Sequence, residues 1–247
     1  MPPDTLDFSR RAELTELMDE PCSRDVMRAC LRDIARLNQW FFGYRPTLRW
    51  LESLALWQSG RSVHIVDIGC GYGDGLRRIE KWAAHHRIPV ELTGCDLNSD
   101  AIAIAAEASS NASRIEWITA DVFGFQSGKP IDIVVSSLFT HHLAEERIVR
   151  FLNWMENEAR IGWFVNDLSR ASIPYRLLKA FSKVVGLHPF VQHDGPVSIA
   201  RAFVSDDWRR ICGMAGLEQK QITIESFRPA RLCVARRRQR TRDAQFG

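Results

Sequence analysis

Glycines at alternate positions follow a short apolar run in the segment HIVDIGCGYGDG, residues 64–75. The run contains Asp67, and the first glycines after it are Gly69 and Gly71. Glycines leave room for a ligand against the backbone, and such turns follow the first strand of sheets that bind nucleotides. The spacing therefore predicts a nucleotide or nucleoside site that includes Asp67, Gly69 and Gly71.

Position 74 separates two classes of such sites. In the dinucleotide fingerprint G-x-G-x-x-G, the third glycine lies where a helix N-terminus holds a pyrophosphate. Counted from Gly69, that position is Asp74, whose carboxylate would point towards the phosphates. S-adenosylmethionine has no phosphate, and its amino-acid end carries an ammonium group. The segment therefore favours S-adenosylmethionine over a nicotinamide or flavin dinucleotide.

Further candidate ligand residues follow the next strands, because ligands bind at the carboxyl ends of the strands in sheets of this kind. Asp96 is placed to accept hydrogen bonds from both ribose hydroxyls, and Asp121 is placed to accept from the adenine amino group. Leu97 and Val122 would form apolar walls, and Ser137 ends the fourth strand. Together these residues complete the predicted cofactor site.

The elements that must position these residues alternate along the chain. Residues 10–57 show apolar residues at helical spacing, and short Val- and Ile-rich strands then alternate with helices, which is typical of a mostly parallel sheet covered on both faces. The predicted strands are 64–69, 90–96, 115–121, 131–137, 162–167, 218–226 and 231–235, and the predicted helices between them are 75–86, 99–109, 145–158 and 206–215. Only four residues join the last two strands, so they should pair antiparallel.

Composition excludes several classes of protein. The net charge of +3 over 247 residues gives no broad surface for nucleic acid, and no apolar run reaches the length of a membrane span. The six cysteines form no C-x-x-C pair, which argues against a disulfide frame or a zinc site, so no metal is predicted. The N-terminus lacks the apolar core of a signal peptide. We therefore expect a cytoplasmic protein with no nucleic-acid or membrane partner.

The sequence resembles the class I S-adenosylmethionine-dependent methyltransferases over residues 64–237. The resemblance rests on VDIGCGYGDG, GCDLNSDAI, ADVF, DIVVSSLFTHHL and the closing hairpin. Within that group, FVNDLSR, DGPVSIARAF and DDWRRICGMAGL resemble bacterial methyltransferases of type III polyketide pathways, which act on phenolic products. The chain departs from that subgroup at Ser169, where its members have a histidine after Asp-Leu.

The resemblance implies an α/β fold: a Rossmann-like, seven-stranded, mostly parallel sheet with an antiparallel last strand, plus N-terminal helices and a cap insertion. The corresponding organisation is an N-terminal helical cap segment at 1–60, a methyltransferase domain at 61–238 and a basic C-terminal tail at 239–247. The cap insertion is residues 172–202, with a helical piece at 175–185 and loop-like sequence at Pro189 and at Gly195-Pro196. Phe181 and Phe190 of the cap are expected to face the acceptor.

The expected reaction is methyl transfer to a small aromatic or phenolic acceptor, at oxygen. A phenol with a pKa near about 10 gains from a nearby base, and imidazole is suited to that role. His142 is the first candidate by its position after the fourth strand, and His141 precedes it. His193 is the next candidate, because the cap would lower it and Asp194 onto the site.

Three alternatives stay open at this stage. They are methylation of an activated ring carbon, an NAD(P)-dependent oxidoreductase, and a protein that binds the nucleoside without turnover. Methylation of a nucleic-acid base amine is disfavoured, because SSLF at 136–139 replaces the Asn/Asp-Pro-Pro-aromatic motif of those enzymes. A homodimer is compatible with the sequence.

Overall fold

The computed structural model describes residues 6–56 and 60–238. The strands are β1 (Val63–Ile68), β2 (Val90–Asp96), β3 (Glu116–Thr119), β4 (Ile133–Ser137), β5 (Gly162–Leu168), β6 (Ile222–Phe227) and β7 (Arg231–Arg237). The helices are α1 (Arg24–Trp40), α2 (Arg45–Ser53), α3 (Asp74–His85), α4 (Ser99–Glu107), α5 (Glu145–Glu158), α6 (Ser172–Val184), α7 (Pro189–Arg201) and α8 (Ser205–Met214). Short 3-10 turns lie at Leu17–Asp19, Thr140–His142 and Gln219–Gln221.

The seven strands form one sheet in the order β3-β2-β1-β4-β5-β7-β6. Strands β1 to β5 pair parallel, and β7 pairs antiparallel with both β5 and β6. The order reverses beside β1, so a crevice opens between the carboxyl ends of β1 and β4, where ligands bind in doubly wound sheets. The predicted fold class is confirmed, including the antiparallel pairing of the last two strands.

Alternating side chains on the central strands form two cores. Val134 of β4 belongs to the cluster packed with α5 and α8, while Ile133 and Val135 belong to the cluster packed with α2 and α3. Every residue of β1 is buried, as a central parallel strand requires. The two layers of helices fix the strand ends that carry the site.

The N-terminal segment differs from the prediction. Helical spacing was expected from residue 10, but between residues 6 and 23 the structure has only the 3-10 turn Leu17–Asp19, and helix α1 starts at Arg24. The segment is held by α7 instead: the N–H of Ala12 donates to the carbonyl of Ala200, and the N–H groups of Leu17 and Met18 donate to the Asp194 carboxylate. Tertiary hydrogen bonds therefore replace the helix here.

The predicted loop around Pro189 and Gly195-Pro196 is wrong, because these residues lie in helix α7. Pro189 occupies the first turn, where no N–H is needed, and the His188 ring accepts from the N–H of Phe190. Pro196 lies inside the helix, where burial in the packed α6–α7 pair outweighs the lost hydrogen bond. A Cβ on Gly195 would lie 3.1 Å from the Leu178 side chain, so glycine permits the close approach of the two helices.

Smaller differences concern the ends of two strands, and some predicted features lie outside the described residues. The predicted sixth strand begins at Ile222 instead of 218, because Gln219–Gln221 form a 3-10 turn, and β3 is shortened to Glu116–Thr119. The expected basic tail at 239–247 and Trp57 lie outside the described residues. None of the helices in the described ranges combines the length and apolarity needed to cross a membrane.

Candidate active site

A cavity of about 860 Å³ opens at the carboxyl ends of β1, β2 and β4. This volume lies near the upper end of the range for small-molecule sites. Its walls include all the residues predicted for the cofactor: Asp67, Gly69, Gly71, Asp96, Leu97, Asp121, Val122 and Ser137. The fold therefore brings together side chains that lie up to 70 positions apart in sequence.

The glycine turn after β1 forms the floor of this cavity. The N–H groups of Gly69 and Cys70 donate to the carbonyl of Cys95 at 2.8 and 3.2 Å, which ties the turn to β2. Gly69 has φ +70°, and an added Cβ would lie 2.5 Å from the Phe139 ring. Gly71 has φ +48°, but an added Cβ would meet only Leu31, at 3.6 Å. Gly71 thus borders open cavity space, whereas Gly69 is needed for packing.

Asp96 anchors the turn from the end of β2. One carboxylate oxygen accepts from the N–H of Gly71 and the other from the N–H of Asn98, each at 2.9 Å. Burial raises the pKa of Asp96, while these two N–H groups act in the opposite direction. Because each oxygen has a second lone pair, the carboxylate can still accept two hydrogen bonds from a ligand in the cavity.

Asp67 is the most unusual acid of the site. It is buried, and its Oδ1 has no hydrogen-bond partner among residues 6–56 and 60–238. Burial, reinforced by the charges of Asp74 and Asp96, raises the pKa of Asp67 well above its ordinary value. An unpartnered buried carboxylate is costly unless a cationic or hydrogen-bonding ligand completes it. The geometry therefore favours a ligand with a cationic donor at this point.

The remaining cofactor candidates line the cavity at the carboxyl ends of β2, β3 and β4. Asp121 accepts from the N–H of Phe123 at 2.9 Å with Oδ1, and its Oδ2 lies 3.6 Å from Arg147. Val122 is buried, whereas Leu97 is 70% exposed and covers the cavity edge. Ser137 lines the cavity at the end of β4. Asp121 therefore offers a hydrogen-bond acceptor beside the apolar side chains of Val122 and Leu97, an arrangement that is suited to a flat ring with an amino group.

Two adjacent histidines lie at the polar end of the cavity. The buried His141 places Nδ1 2.7 Å from Oδ1 of Asp167, and the Thr140 hydroxyl and the His141 N–H also donate to that carboxylate. Burial alone would raise the pKa of Asp167, but the charge and hydrogen bond of His141 hold it well below its ordinary value. The Nε2 atom of His141 is left facing Glu16, 3.7 Å away. Asp167 thus orients the His141 ring.

His142 is held in the same way by a different acid. Its Nδ1 lies 3.1 Å from Asp19, and its Nε2 lies 4.0 Å from Glu16. The hydrogen bond from His142 lowers the pKa of Asp19, whereas burial raises the pKa of Glu16 to about 7. His141, His142, Glu16 and Asp19 all line the cavity.

His193 does not reach this end of the cavity. Its Nδ1 lies 2.8 Å from Oδ1 of Asp194, and the ring is not among the cavity walls. Asp194 does line the cavity, but its oxygens accept from the backbone of Leu17 and Met18, so it holds the N-terminal segment in place. Phe190 also lies away from the cavity and packs beside His188. The cap therefore lines the cavity with other residues of α6 and α7, and not with His193 or Phe190.

The rest of the cavity is an apolar chamber between α1 and the α6–α7 pair. Phe181 of α6 lies edge-on to Phe41, with ring centroids 5.2 Å apart. The other apolar walls of the chamber are Leu31, Ile34, Leu37, Leu168, Ile173, Leu177, Leu178 and Ile199. Arg231, whose buried guanidinium donates to the Asn38 side chain, lies at the chamber wall. The chamber is suited to a flat apolar ligand with few polar groups.

Residues 65–160 match the family described as a methyltransferase domain. The fold is a methyltransferase fold. It is similar to the plantazolicin methyltransferase BpumL in complex with SAH, with a TM-score of 0.61, 15% identity, and coverage of 87% of this chain and 96% of that one. It is also similar to the magnesium protoporphyrin IX methyltransferase ChlM from Synechocystis PCC 6803 with bound SAH, with a TM-score of 0.53, 17% identity, and coverage of 80% and 84%.

A third similar structure is the CMeT domain of the citrinin polyketide synthase, with a TM-score of 0.51, 16% identity, and coverage of 71% of this chain and 46% of that one. At these identities the likeness shows the fold. Together with the domain match, these structures support the prediction of a methyltransferase that uses S-adenosylmethionine.

The sequence analysis did not identify three acidic residues of the site: Asp167, Glu16 and Asp19. Asp167 ends the fifth strand in FVNDL, so the rule used for Asp96 and Asp121 could have identified it. Glu16 and Asp19 could not be found in this way, because they lie in the irregular N-terminal segment, more than 120 positions before the histidines they face. Only the tertiary fold brings them to the cavity.

Proposed function

We propose that the protein transfers the methyl group of S-adenosylmethionine to the phenolic oxygen of a small aromatic acceptor. The observation that carries this proposal is the continuity of a single cavity. The cavity contains the glycine turn, Asp67 and Asp96 on one side. On the other side it continues as an apolar chamber, with His141 and His142 in its lining. Donor and acceptor can therefore meet in one space.

The described residues fit the cofactor at two independent points. The unpartnered Oδ1 of Asp67 is completed by an ammonium group, and the space beside Gly71 is what a ligand against the turn requires. In the proposed arrangement Asp96 accepts from the ribose hydroxyls, and Asp121 accepts from the adenine amino group. When bound, the cofactor supplies an electrophilic methyl group on a sulfonium. The protein aligns that group with the acceptor and keeps water out.

Asp67→Asn is expected to raise the thermal stability of the ligand-free protein and to weaken cofactor binding. The folded pKa of Asp67 is raised above 3.8, so the native state binds more protons than the unfolded state in the window above that value. Wild-type stability should therefore fall as the pH rises through this window, and the variant should lack this component of the fall. Thermal unfolding across the window, with calorimetry of S-adenosylhomocysteine, measures both effects. An identical pH dependence in the two proteins would contradict this role.

The apolar chamber supports a small aromatic acceptor. It is lined mostly by aliphatic and aromatic side chains, including Phe41 and Phe181, which pack edge-on against each other. The similar structures concern plantazolicin analogues, magnesium protoporphyrin IX and a polyketide synthase domain, so they do not agree on one acceptor. The proposal of a phenol rests on the combination of apolar walls with polar nitrogen atoms at one end.

The phenol proton is lost at the histidine end of the cavity in this proposal. The Asp167 and Asp19 carboxylates hold the Nδ1 atoms of His141 and His142 and so fix both rings. The Nε2 atoms then lie where a hydroxyl can be placed. We infer that these imidazoles act on the acceptor oxygen and that His193, which holds Asp194, does not.

His141→Gln and His142→Gln are expected to lower kcat by about a hundredfold with a weakly acidic phenol, as loss of an acid–base group commonly does. The defect should shrink with a nitro-substituted phenol, which loses its proton without help. His86→Gln is the matched control, because His85 and His86 also form an adjacent pair with a glutamate, Glu52, 4.0 Å away, outside the cavity. Equal defects for both phenols would mean a purely structural role.

Ligand binding to the wild-type protein tests the alternative of an NAD(P)-dependent oxidoreductase. Asp74 lies in the first turn of α3, where a pyrophosphate would need to bind, and its carboxylate accepts from the Tyr44 hydroxyl. We expect stabilisation by S-adenosylhomocysteine and none by NAD in thermal-shift measurements. The reverse result would overturn the proposed function.

A further inference from the structure

A cluster of potential metal ligands lies at the end of the acceptor chamber. Glu16, His141 and His142 each offer a donor atom, and these atoms all lie within 4.8 Å of one another. An ion bound at about 2.0–2.1 Å in tetrahedral geometry brings its ligand atoms to about 3.4 Å from one another. The observed 3.7 and 4.0 Å between the imidazole Nε2 atoms and the Glu16 oxygens are close to this value. A bound ion would have to draw these donor atoms, which are up to 4.8 Å apart, closer together.

The groups around the cluster orient both rings for such a role. The Nδ1 atom of each imidazole faces a carboxylate, Asp167 for His141 and Asp19 for His142, at 2.7 and 3.1 Å. Metal-binding histidines almost always donate their other ring N–H to a carboxylate, carbonyl or water, which fixes the tautomer and orients the ring. Two adjacent imidazoles oriented in this way leave both Nε2 atoms as free acceptors near Glu16.

An independent observation concerns Glu16 itself. The residue is only 4% exposed, lines the cavity, and has no hydrogen-bond partner at Oε1 within the described part of the chain. Arg201 is the neighbouring cation, at 3.4 Å from that oxygen and 2.7 Å from Asp19. Arg201 contacts Glu16 and Asp19 through one guanidinium nitrogen, and the Oε1 atom of Glu16 still lacks a hydrogen-bond donor among the described residues, so this oxygen is available to a metal ion.

We propose that Glu16, His141 and His142 bind one zinc-like divalent metal ion, whose open coordination position faces the acceptor chamber. Two imidazoles and one carboxylate are a ligand set of catalytic zinc sites, which keep a position open for water or substrate. Nitrogen donors favour zinc and its neighbours over magnesium or calcium. The assignment of the open position to the acceptor oxygen rests on the proposed function, whereas the metal site itself does not.

The ion would activate the acceptor as a Lewis acid. A hydroxide on the open position takes the phenol proton and leaves as water, and the phenolate oxygen takes its place. A lone pair of that oxygen forms the new O–CH₃ bond, while the S–CH₃ bond breaks and its electron pair stays on sulfur. The products are the neutral aryl methyl ether and S-adenosylhomocysteine. With the ion bound, the hydroxide takes the phenol proton in place of the imidazoles, so His141 and His142 act on the acceptor oxygen through the metal as its ligands, and the proton leaves with the water.

Binding of Co²⁺ to the chelator-treated, full-length protein tests the site. We expect a single Co²⁺ per chain with the intense visible bands of four-coordinate cobalt, displacement by Zn²⁺, and a spectral change when a phenol is added. Glu16→Gln, which keeps the buried shape, and His142→Gln, which changes a partly exposed ring, should each lower Zn²⁺ affinity about a hundredfold or more, since loss of even an outer-shell partner costs 10–100-fold. His86→Gln should bind as the wild type does.

The outcomes separate this proposal from the proposed function. Absence of stoichiometric binding, or binding that survives in both Glu16→Gln and His142→Gln, would overturn the metal site. Full methyl transfer by a protein shown to be metal-free would overturn its role in activation and leave the methyltransferase intact. Bound cobalt with the expected spectrum, in a protein that methylates no phenol with any metal, would uphold the site and contradict the proposed acceptor.

Discussion

Gly71→Val is expected to abolish cofactor binding while the protein stays folded. The added side chain would extend from a Cβ whose nearest neighbour is Leu31 at 3.6 Å, so it would fill the space against the turn. A bound nucleoside and the valine cannot share that space. We expect affinity for S-adenosylhomocysteine to fall by more than about a thousandfold, equivalent to roughly 4 kcal/mol. Calorimetry of the purified variant measures this loss.

The control for this variant must carry the same backbone strain. Gly71 has φ +48°, which valine adopts only at a cost, so some loss of stability is expected from strain alone. Gly216→Val is the matched control: Gly216 has φ +73°, an added Cβ meets nothing within 4 Å, and the residue is not a cavity wall. It should lose similar stability and keep its affinity. Normal binding by Gly71→Val would show that the turn holds no ligand.

Asp96→Ala is expected to weaken cofactor binding by roughly two to four orders of magnitude. Hydrogen bonds to a charged group contribute about 1.5–3 kcal/mol each, and the carboxylate is placed to accept two from the ribose. The substitution also removes the acceptors for the N–H groups of Gly71 and Asn98, so the turn loses one of its hydrogen bonds to β2. The lost ribose hydrogen bonds and the loosened glycine turn both weaken binding of the cofactor. The expected loss of affinity is therefore among the largest of the predicted effects.

Asp96→Asn separates the two contributions. Its amide keeps one oxygen acceptor and nearly the same shape, so the turn should be better preserved while one charged acceptor is lost. We expect an affinity between those of the wild type and Asp96→Ala, with near wild-type thermal stability. If Asp96→Ala, confirmed as folded by circular dichroism, bound S-adenosylhomocysteine as tightly as the wild type, Asp96 would not belong to the cofactor site.

The cofactor side was predictable because local sequence determines it. Asp67 lies near the end of β1 and Asp96 ends β2, while Gly71 and Asp121 follow β1 and β3. The parallel sheet brings the carboxyl ends of these strands to one edge. A residue at a strand end is therefore placed by its own short segment and by the order of the strands. The same rule would also have found Asp167.

The acceptor side depends on long-range packing, so the sequence predicted it less well. Gly195-Pro196 is a typical turn signal, yet it lies in α7, because Gly195 lets α6 pack closely and burial supports the helix. The N-terminal segment, expected to be helical, is held by Asp194 instead. These contacts bring Glu16 close to His141 and His142. No local sequence pattern predicts this proximity, because the residues are far apart in the chain.

The most direct test of the proposed function is an assay with S-adenosylmethionine carrying an isotope-labelled methyl group. The purified protein is incubated with phenols that bear apolar substituents, and the products are analysed by mass spectrometry and NMR. We predict an added methyl whose label appears at an aryl methoxy position, with one S-adenosylhomocysteine formed per product. A label on a ring carbon, or no labelled product from any phenol although S-adenosylhomocysteine binds, would contradict oxygen methylation of a small aromatic acceptor.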